Sequence, residues 1–272
     1  MTELQGTTAL VTGGGRGLGR DFSLALAKLG MKVAFTARTE EQLTETQRLI
    51  EATGGKCLAL NADAADPACV PDTVRRAEAA LGPIDLLVNN AAVIAPMGLD
   101  WETDAQEWWR LFEINVRGPY LHAKAILPGM IARGRGRMIN VSSHGGHTTT
   151  PFAAAYAASK AALTHWTSCI APTLAPRGVK VFAFGPVGAT DMTRRMAAEP
   201  GVAESRRAQF RQHLEQGDPR QQQSVAMLLF IASGKADALV GRYISWDDAP
   251  QWLTENAERI VKEDALKVHR RT

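Results

Sequence analysis

The sequence predicts an α/β fold: a single doubly wound domain in which seven mostly parallel strands form one sheet with helices on both faces. Three observations lead there. Short apolar, β-branched runs alternate with longer amphipathic segments along most of the 272 residues. The strand-like runs are nearly continuously apolar, so both of their faces must be covered, as in a parallel sheet. No linker, repeat or low-complexity stretch interrupts the pattern.

TTALVT (7–12) reads as the first, buried strand, and residues 17–29 follow it as a helix. KVAFTA (32–37) is the second strand, followed by a charged helix over 40–53. KCLALNA (56–62) is the third, with a helix over 67–81, and IDLLVNNA (84–91) is the fourth. A long helical stretch covers 103–133, with a break expected near Gly118-Pro119 because proline removes a backbone donor. GRMINVSS (136–143) is the fifth strand, an alanine-rich helix spans 152–175, and VKVFAF (179–184) is the sixth strand. Residues 219–233 read as helix and RYISW (242–246) as the seventh strand. Residues 1–246 thus form the main unit. Within it, the polar, arginine-rich segment 187–218 is expected to be an irregular substrate loop, and 247–272 an appended tail, helical from about 250.

Composition excludes several classes. Net charge is +3, and the basic clusters at 133–137, 206–211 and 270–271 make no stripe interleaved with aromatics. Nucleic-acid binding is therefore disfavoured. Three cysteines, Cys57, Cys69 and Cys169, stand far apart without metal spacing, which fits buried thiols in a reducing compartment. With no signal-like start and no membrane-length apolar run, the expectation is a soluble cytoplasmic protein.

Between the first strand and the first helix lies TGGGRGLG, with Gly13, Gly14, Gly15, Gly17 and Gly19. Glycines there allow a tight turn and close backbone approach to a ligand, and the helix N-terminus offers free N–H groups to a pyrophosphate. After the first strand of an α/β pattern, this predicts dinucleotide binding. The second strand ends Thr36-Ala37-Arg38 without the acid that would accept a ribose hydroxyl. Arg38, joined by Arg16, is placed to pair with a 2′-phosphate, whose geometry suits the guanidinium fork. NADP(H) is the favoured cofactor, with NAD(H) the alternative.

AAYAASKAAL (154–163) sets Tyr156 and Lys160 four apart, hence on one helix face. With TGGGRGLG, the Asn89-Asn90-Ala91 run and this Y-x-x-x-K in order, the chain resembles the single-domain branch of the short-chain dehydrogenase/reductase family over about residues 5–246. The resemblance implies a Rossmann-type fold and a catalytic set of Asn115, Ser143, Tyr156 and Lys160. Tyr156 would exchange a proton with the substrate oxygen, its phenolate favoured by the charge of Lys160. Lys160 would also hold the nicotinamide ribose. Ser143 would orient the substrate oxygen, and Asn115 would hold a water in a proton relay. The cofactor would further meet Gly13, Gly15, Arg16, Gly17, Leu18, Gly19, Arg38, Asp63, Ala64, Asn90, Ala91, Pro186, Val187 and Thr190. Asp63 is assigned to the adenine and Thr190 to the carboxamide. His144, with Ser143 and Tyr156, would line the substrate pocket.

Three departures from the family pattern stand out. Ala92 replaces a glycine, Gly185-Pro186 reverses a Pro-Gly pair, and WDDAPQW replaces a glycine pair after the last strand. The spacing of His144 and His147 permits metal binding, but no acid or thiol is nearby in sequence, so pocket lining is preferred and no metal is expected. Trp101, Trp108 and Trp109 read as core or subunit contacts. The implied activity is NADP(H)-dependent interconversion of a small-molecule ketone and a secondary alcohol. The implied assembly is a homodimer or homotetramer, packed through the alanine-rich helix. The alternatives are an NAD-dependent alcohol dehydrogenase and a non-catalytic NADP(H)-sensing regulator.

Overall fold

In the computed structural model, residues 4–266 are described; residues 1–3 and the end of the expected tail, 267–272 with Arg270-Arg271, lie outside the described residues. The strands are β1 (Thr8–Val11), β2 (Lys32–Ala37), β3 (Cys57–Asn61), β4 (Ile84–Asn89), β5 (Gly136–Val141), β6 (Val179–Gly185) and β7 (Tyr243–Ser245). They form one seven-stranded sheet in the order β3-β2-β1-β4-β5-β6-β7. Every pairing is parallel. The chain works outward from β1 to β3 and then crosses to β4 on the other side of β1. The crevice beyond the carboxyl ends of β1 and β4 is the topological switch point where ligands bind in such sheets.

The helices cover both faces because the strands are apolar on both. Helices α1 (Gly17–Lys28) and α2 (Glu40–Glu51) lie on one side, through Phe22, Leu26 and Ile50. Val70, Val74, Ala123 and Ile126 cover the other, from α3 (Cys69–Leu81) and, beyond α4 (Ala105–Phe112), from α5 (Gly118–Ala132). Helix α6 (Ala154–Leu174) joins that second layer through Ala171 and Leu174. Phe22, Phe35, Phe182 and Phe184 are wholly buried, and truncating any one to alanine costs about 3–5 kcal/mol in cores of this kind.

Between α4 and α5 the chain makes a π-turn, Glu113–Arg117, so the expected break falls just ahead of Gly118-Pro119 and leaves the helical path unbroken. Segment 187–218 is not an irregular loop. It contains α7 (Asp191–Ala198) and α8 (Glu204–Gln216). A capping box between Thr190 and Thr193 starts α7. Helix α8 buries no residue and carries a Glu204–Arg207 pair at 2.7 Å. It has no apolar stripe, which is why its helical period is invisible in the sequence. Helix α9 (Arg220–Ala232) then returns to the first layer through Met227, Leu228 and Ile231.

Beyond β7, helices α10 (Pro250–Glu255) and α11 (Ala257–Lys262) bury Leu253, Ala257 and Ile260 in the first layer. Tyr243 N donates to Leu266 O at 2.7 Å, and Arg242 pairs with Asp264, so this segment lies along the free edge of β7. Two sequence expectations fail at the surface. Cys169 is exposed rather than buried. Trp101 and Trp109 are exposed and do not serve the core.

Candidate active site

The glycine turn is built by close approach. Gly13 has φ +67°, and a Cβ on Gly19 would lie 2.1 Å from Gly13 O, so only hydrogen fits there. The turn is tied to the end of β4. Asn90 Nδ2 donates to Thr12 O at 2.9 Å and Gly13 O at 3.2 Å, while Asn90 N and Ala91 N both donate to Thr12 Oγ1 at 3.0 Å. Gly15 lies against Ala37 at the end of β2. No side chain caps α1, so the first-turn N–H groups at Gly17, Leu18 and Gly19 face the crevice unspent.

Arg16, half exposed, pairs with Asp191 at the start of α7. Burial and the cations of Arg195, Arg38 and Arg194 all lower its pKa. The two arginines singled out in the sequence are therefore neighbours, and α7 adds two more. On the far wall, Thr190 stands over Gly17, and Leu18 packs at Gly188. Val187 is fastened by reciprocal bonds with the Ser224 hydroxyl, at 2.9 and 2.8 Å. Pro186 precedes it in the same connection, between β6 and α7. Asp63 accepts from Ala65 N at 2.9 Å and from Arg110 at 2.6 Å, with Ala64 buried between. Arg110 was not visible as a partner because 47 residues separate the pair.

The four residues of the expected catalytic set converge at the carboxyl end of β5 and the first turns of α6. Lys160 is 2% exposed, and its Nζ donates to Val141 O at 2.7 Å and lies 5.8 Å from the Tyr156 ring centroid. Burial pulls its pKa down to about 7. Burial pushes the Tyr156 phenol up, opposed by a hydrogen bond from Ser143. The expectation that Lys160 holds Tyr156 as a phenolate is thus reversed for the protein's own groups: desolvation outweighs their attraction. The Ser143 hydroxyl also accepts from Gly145 N at 3.1 Å.

Asn115, wholly buried in the π-turn, donates to Val93 O at 2.9 Å and Ser159 Oγ at 3.0 Å, and accepts from Val93 N at 2.9 Å. Both of its amide hydrogens are spent, so it can only accept a bond from a water, through the remaining lone pair of Oδ1. Its evident work is to pin the β4 exit loop to α6. Ser159 completes that link by donating to Tyr156 O at 2.7 Å.

His144 is exposed at the rim of the loop after Ser143. His147, further along, brings its ring to 4.0 Å from that of Tyr243. Burial, then His144, lowers the His147 pKa. Tyr243 escaped sequence reasoning because a tyrosine in a strand reads as core.

The profile of the short chain dehydrogenase family matches residues 7–201. A short chain dehydrogenase of Pseudocercospora fijiensis (strain CIRAD86) is 34% identical over 279 residues, covering 98% of this chain and 87% of that protein. Among solved structures, a metagenomic short-chain oxidoreductase in complex with NADP matches with a TM-score of 0.65 at 36% identity, over 67% of this chain and 83% of the other. Levodione reductase matches with a TM-score of 0.80 at 26% identity, over 91% and 98%. The chain belongs to the short chain dehydrogenase family, and its seven-stranded parallel sheet with surrounding helices is the Rossmann-like fold of that family's structures. It is an oxidoreductase of that family.

Proposed function

We propose that this protein is an NADP(H)-dependent reductase that converts a ketone to a secondary alcohol, with Tyr156 as the proton donor. The observation that carries the reading is the convergence of Ser143, Tyr156 and Lys160 beside an uncapped glycine turn flanked by Arg16 and Arg38.

The residues fit a dinucleotide. Gly13, Gly15, Gly17, Leu18 and Gly19 offer backbone to a pyrophosphate, and Arg16 and Arg38 offer guanidinium groups to a 2′-phosphate. Asp63 and Ala64 wall the adenine side, Asn90 and Ala91 the ribose side, and Pro186, Val187 and Thr190 the nicotinamide side. The NADP complex of the metagenomic oxidoreductase supports this preference over NAD(H). When bound, the reduced nicotinamide supplies the hydride that no side chain can.

The side chains do the rest. A raised pKa keeps the Tyr156 phenol protonated at neutral pH, so it can give its proton to the oxygen of a carbonyl as negative charge develops there. Ser143 holds that phenol and orients the same oxygen. Lys160, near 7, is poised between charged and neutral forms and restores the proton on Tyr156. Asn115 and Ser159 fix the backbone that carries both groups. Exposed Trp101, Trp109 and Tyr120 on or beside α4 and α5 support assembly into a dimer or tetramer. The test is to mix the purified protein with NADPH and a panel of ketones and to follow NADPH absorbance. Turnover is expected with NADPH and not, or much more weakly, with NADH. NADPH binding without turnover of any ketone would instead point to a sensor, and NADH preference to arginines that serve solvent alone.

A further inference from the structure

Tyr243 lies on β7, 8% exposed, and its hydroxyl meets no hydrogen-bond partner among the described residues. A buried phenol ordinarily finds one, and leaving it unpaired costs free energy. The neighbouring Ser245 hydroxyl, on the same face of β7, donates to Asp247. Burial pushes the Tyr243 pKa up; Ser245 opposes the shift, while Asp248, Asp247 and Tyr156 add to it. The group is therefore a donor at any working pH.

The chain is built around this phenol. A Cβ on Gly185 would lie 1.8 Å from Tyr243 Oη and 2.5 Å from Cζ. Any side chain at 185 would occupy the place of the ring. This accounts for the Gly185-Pro186 order where the family pattern has Pro-Gly: a proline at 185 and a tyrosine at 243 cannot coexist. The loop after Ser143 covers the ring from above, with His147 at 4.0 Å and 50°. Tyr243 thus sits beneath the Ser143 loop, at the exit of β6 toward Pro186 and Val187, and within electrostatic range of Tyr156.

We propose that the Tyr243 hydroxyl is a specificity-determining donor that binds a second oxygen on the substrate, beside the carbonyl presented to Tyr156. It selects oxygenated ketones, such as diketones and hydroxyketones, over simple ones. A simple ketone leaves the buried donor unpaired; an oxygenated one satisfies it, and sites of this kind discriminate strongly. The inference rests on the carbonyl-reductase reading.

Tyr243→Phe keeps the ring against Gly185 and His147 and removes only the hydroxyl. The probes are cyclohexane-1,2-dione and cyclohexanone, each compared between variant and wild type. Catalytic efficiency on the dione is expected to fall about tenfold or more, chiefly through KM, while that on cyclohexanone changes less than about twofold. NADPH affinity should not move. Gly185→Ala, which displaces the phenol, should show the same loss of selectivity. Equal losses on both ketones, or weakened NADPH binding, would overturn the proposal. If wild type reduces neither ketone, the reductase reading has failed separately. Dione binding, followed by tryptophan fluorescence, then decides the subsite. Binding to wild type but not to Tyr243→Phe supports it, and equal binding or none overturns it.

Discussion

A lysine at 2% exposure is rare without a compensating partner, and Lys160 has one carbonyl, Val141 O. Its cost is visible in pH. The group titrates at about 7 in the folded chain against 10.5 in the open. Between those values the unfolded chain binds more protons, so stability rises as pH increases from about 7 toward 10. Below 7 both forms are protonated and the full burial cost stands, on the order of a few kcal/mol. Lys160→Met should flatten that rise in denaturant midpoint; an unchanged slope would mean that Lys160 keeps an ordinary pKa. At the cofactor end, a lost charge-assisted bond corresponds to about ten- to a hundredfold in affinity. Arg38→Ala should weaken NADPH binding by that factor in an equilibrium titration and leave NADH binding unmoved.

Elements set how the site closes. Phe152, at φ +62° immediately before α6, packs on Gly201 between α7 and α8. A Cβ at 201 would lie 2.4 Å from the Phe152 ring, so Gly201→Ala must push the two apart. The expected result is a several-fold rise in KM for the ketone with unchanged NADPH affinity, since a small misplacement of a positioning element is costly. An equal weakening of NADPH would show that this contact serves the cofactor side instead. The strands and the glycine turn were legible in the sequence because parallel strands are apolar on both faces and the turn's glycines are consecutive. Tyr156 and Lys160 were legible because helical spacing makes them neighbours. Helix α8 was not, having no buried face. The π-turn was not, because five residues leave no period. Arg110 with Asp63 and Tyr243 over Gly185 were not, since each joins distant segments. The direction of the Tyr156 and Lys160 shifts was misread because burial, the larger effect, cannot be seen in a motif.

At the scale of the molecule, the sheet order places two different tools at one crevice. The β1 exit supplies backbone N–H groups, and the β5 exit with α6 supplies the phenol and the lysine. Helices α10 and α11 and the chain to Leu266 close the β7 edge, which holds Tyr243 in place over Gly185. The central claim is that these tools are separable: one binds the dinucleotide and the other moves the proton. Tyr156→Phe tests it most directly, with NADPH affinity by titration and ketone reduction by absorbance measured on the same preparation. The account predicts that reduction falls by about 10²–10⁴-fold, the usual worth of a positioned proton donor, with NADPH affinity within about twofold of wild type. Reduction at the wild-type rate would contradict it.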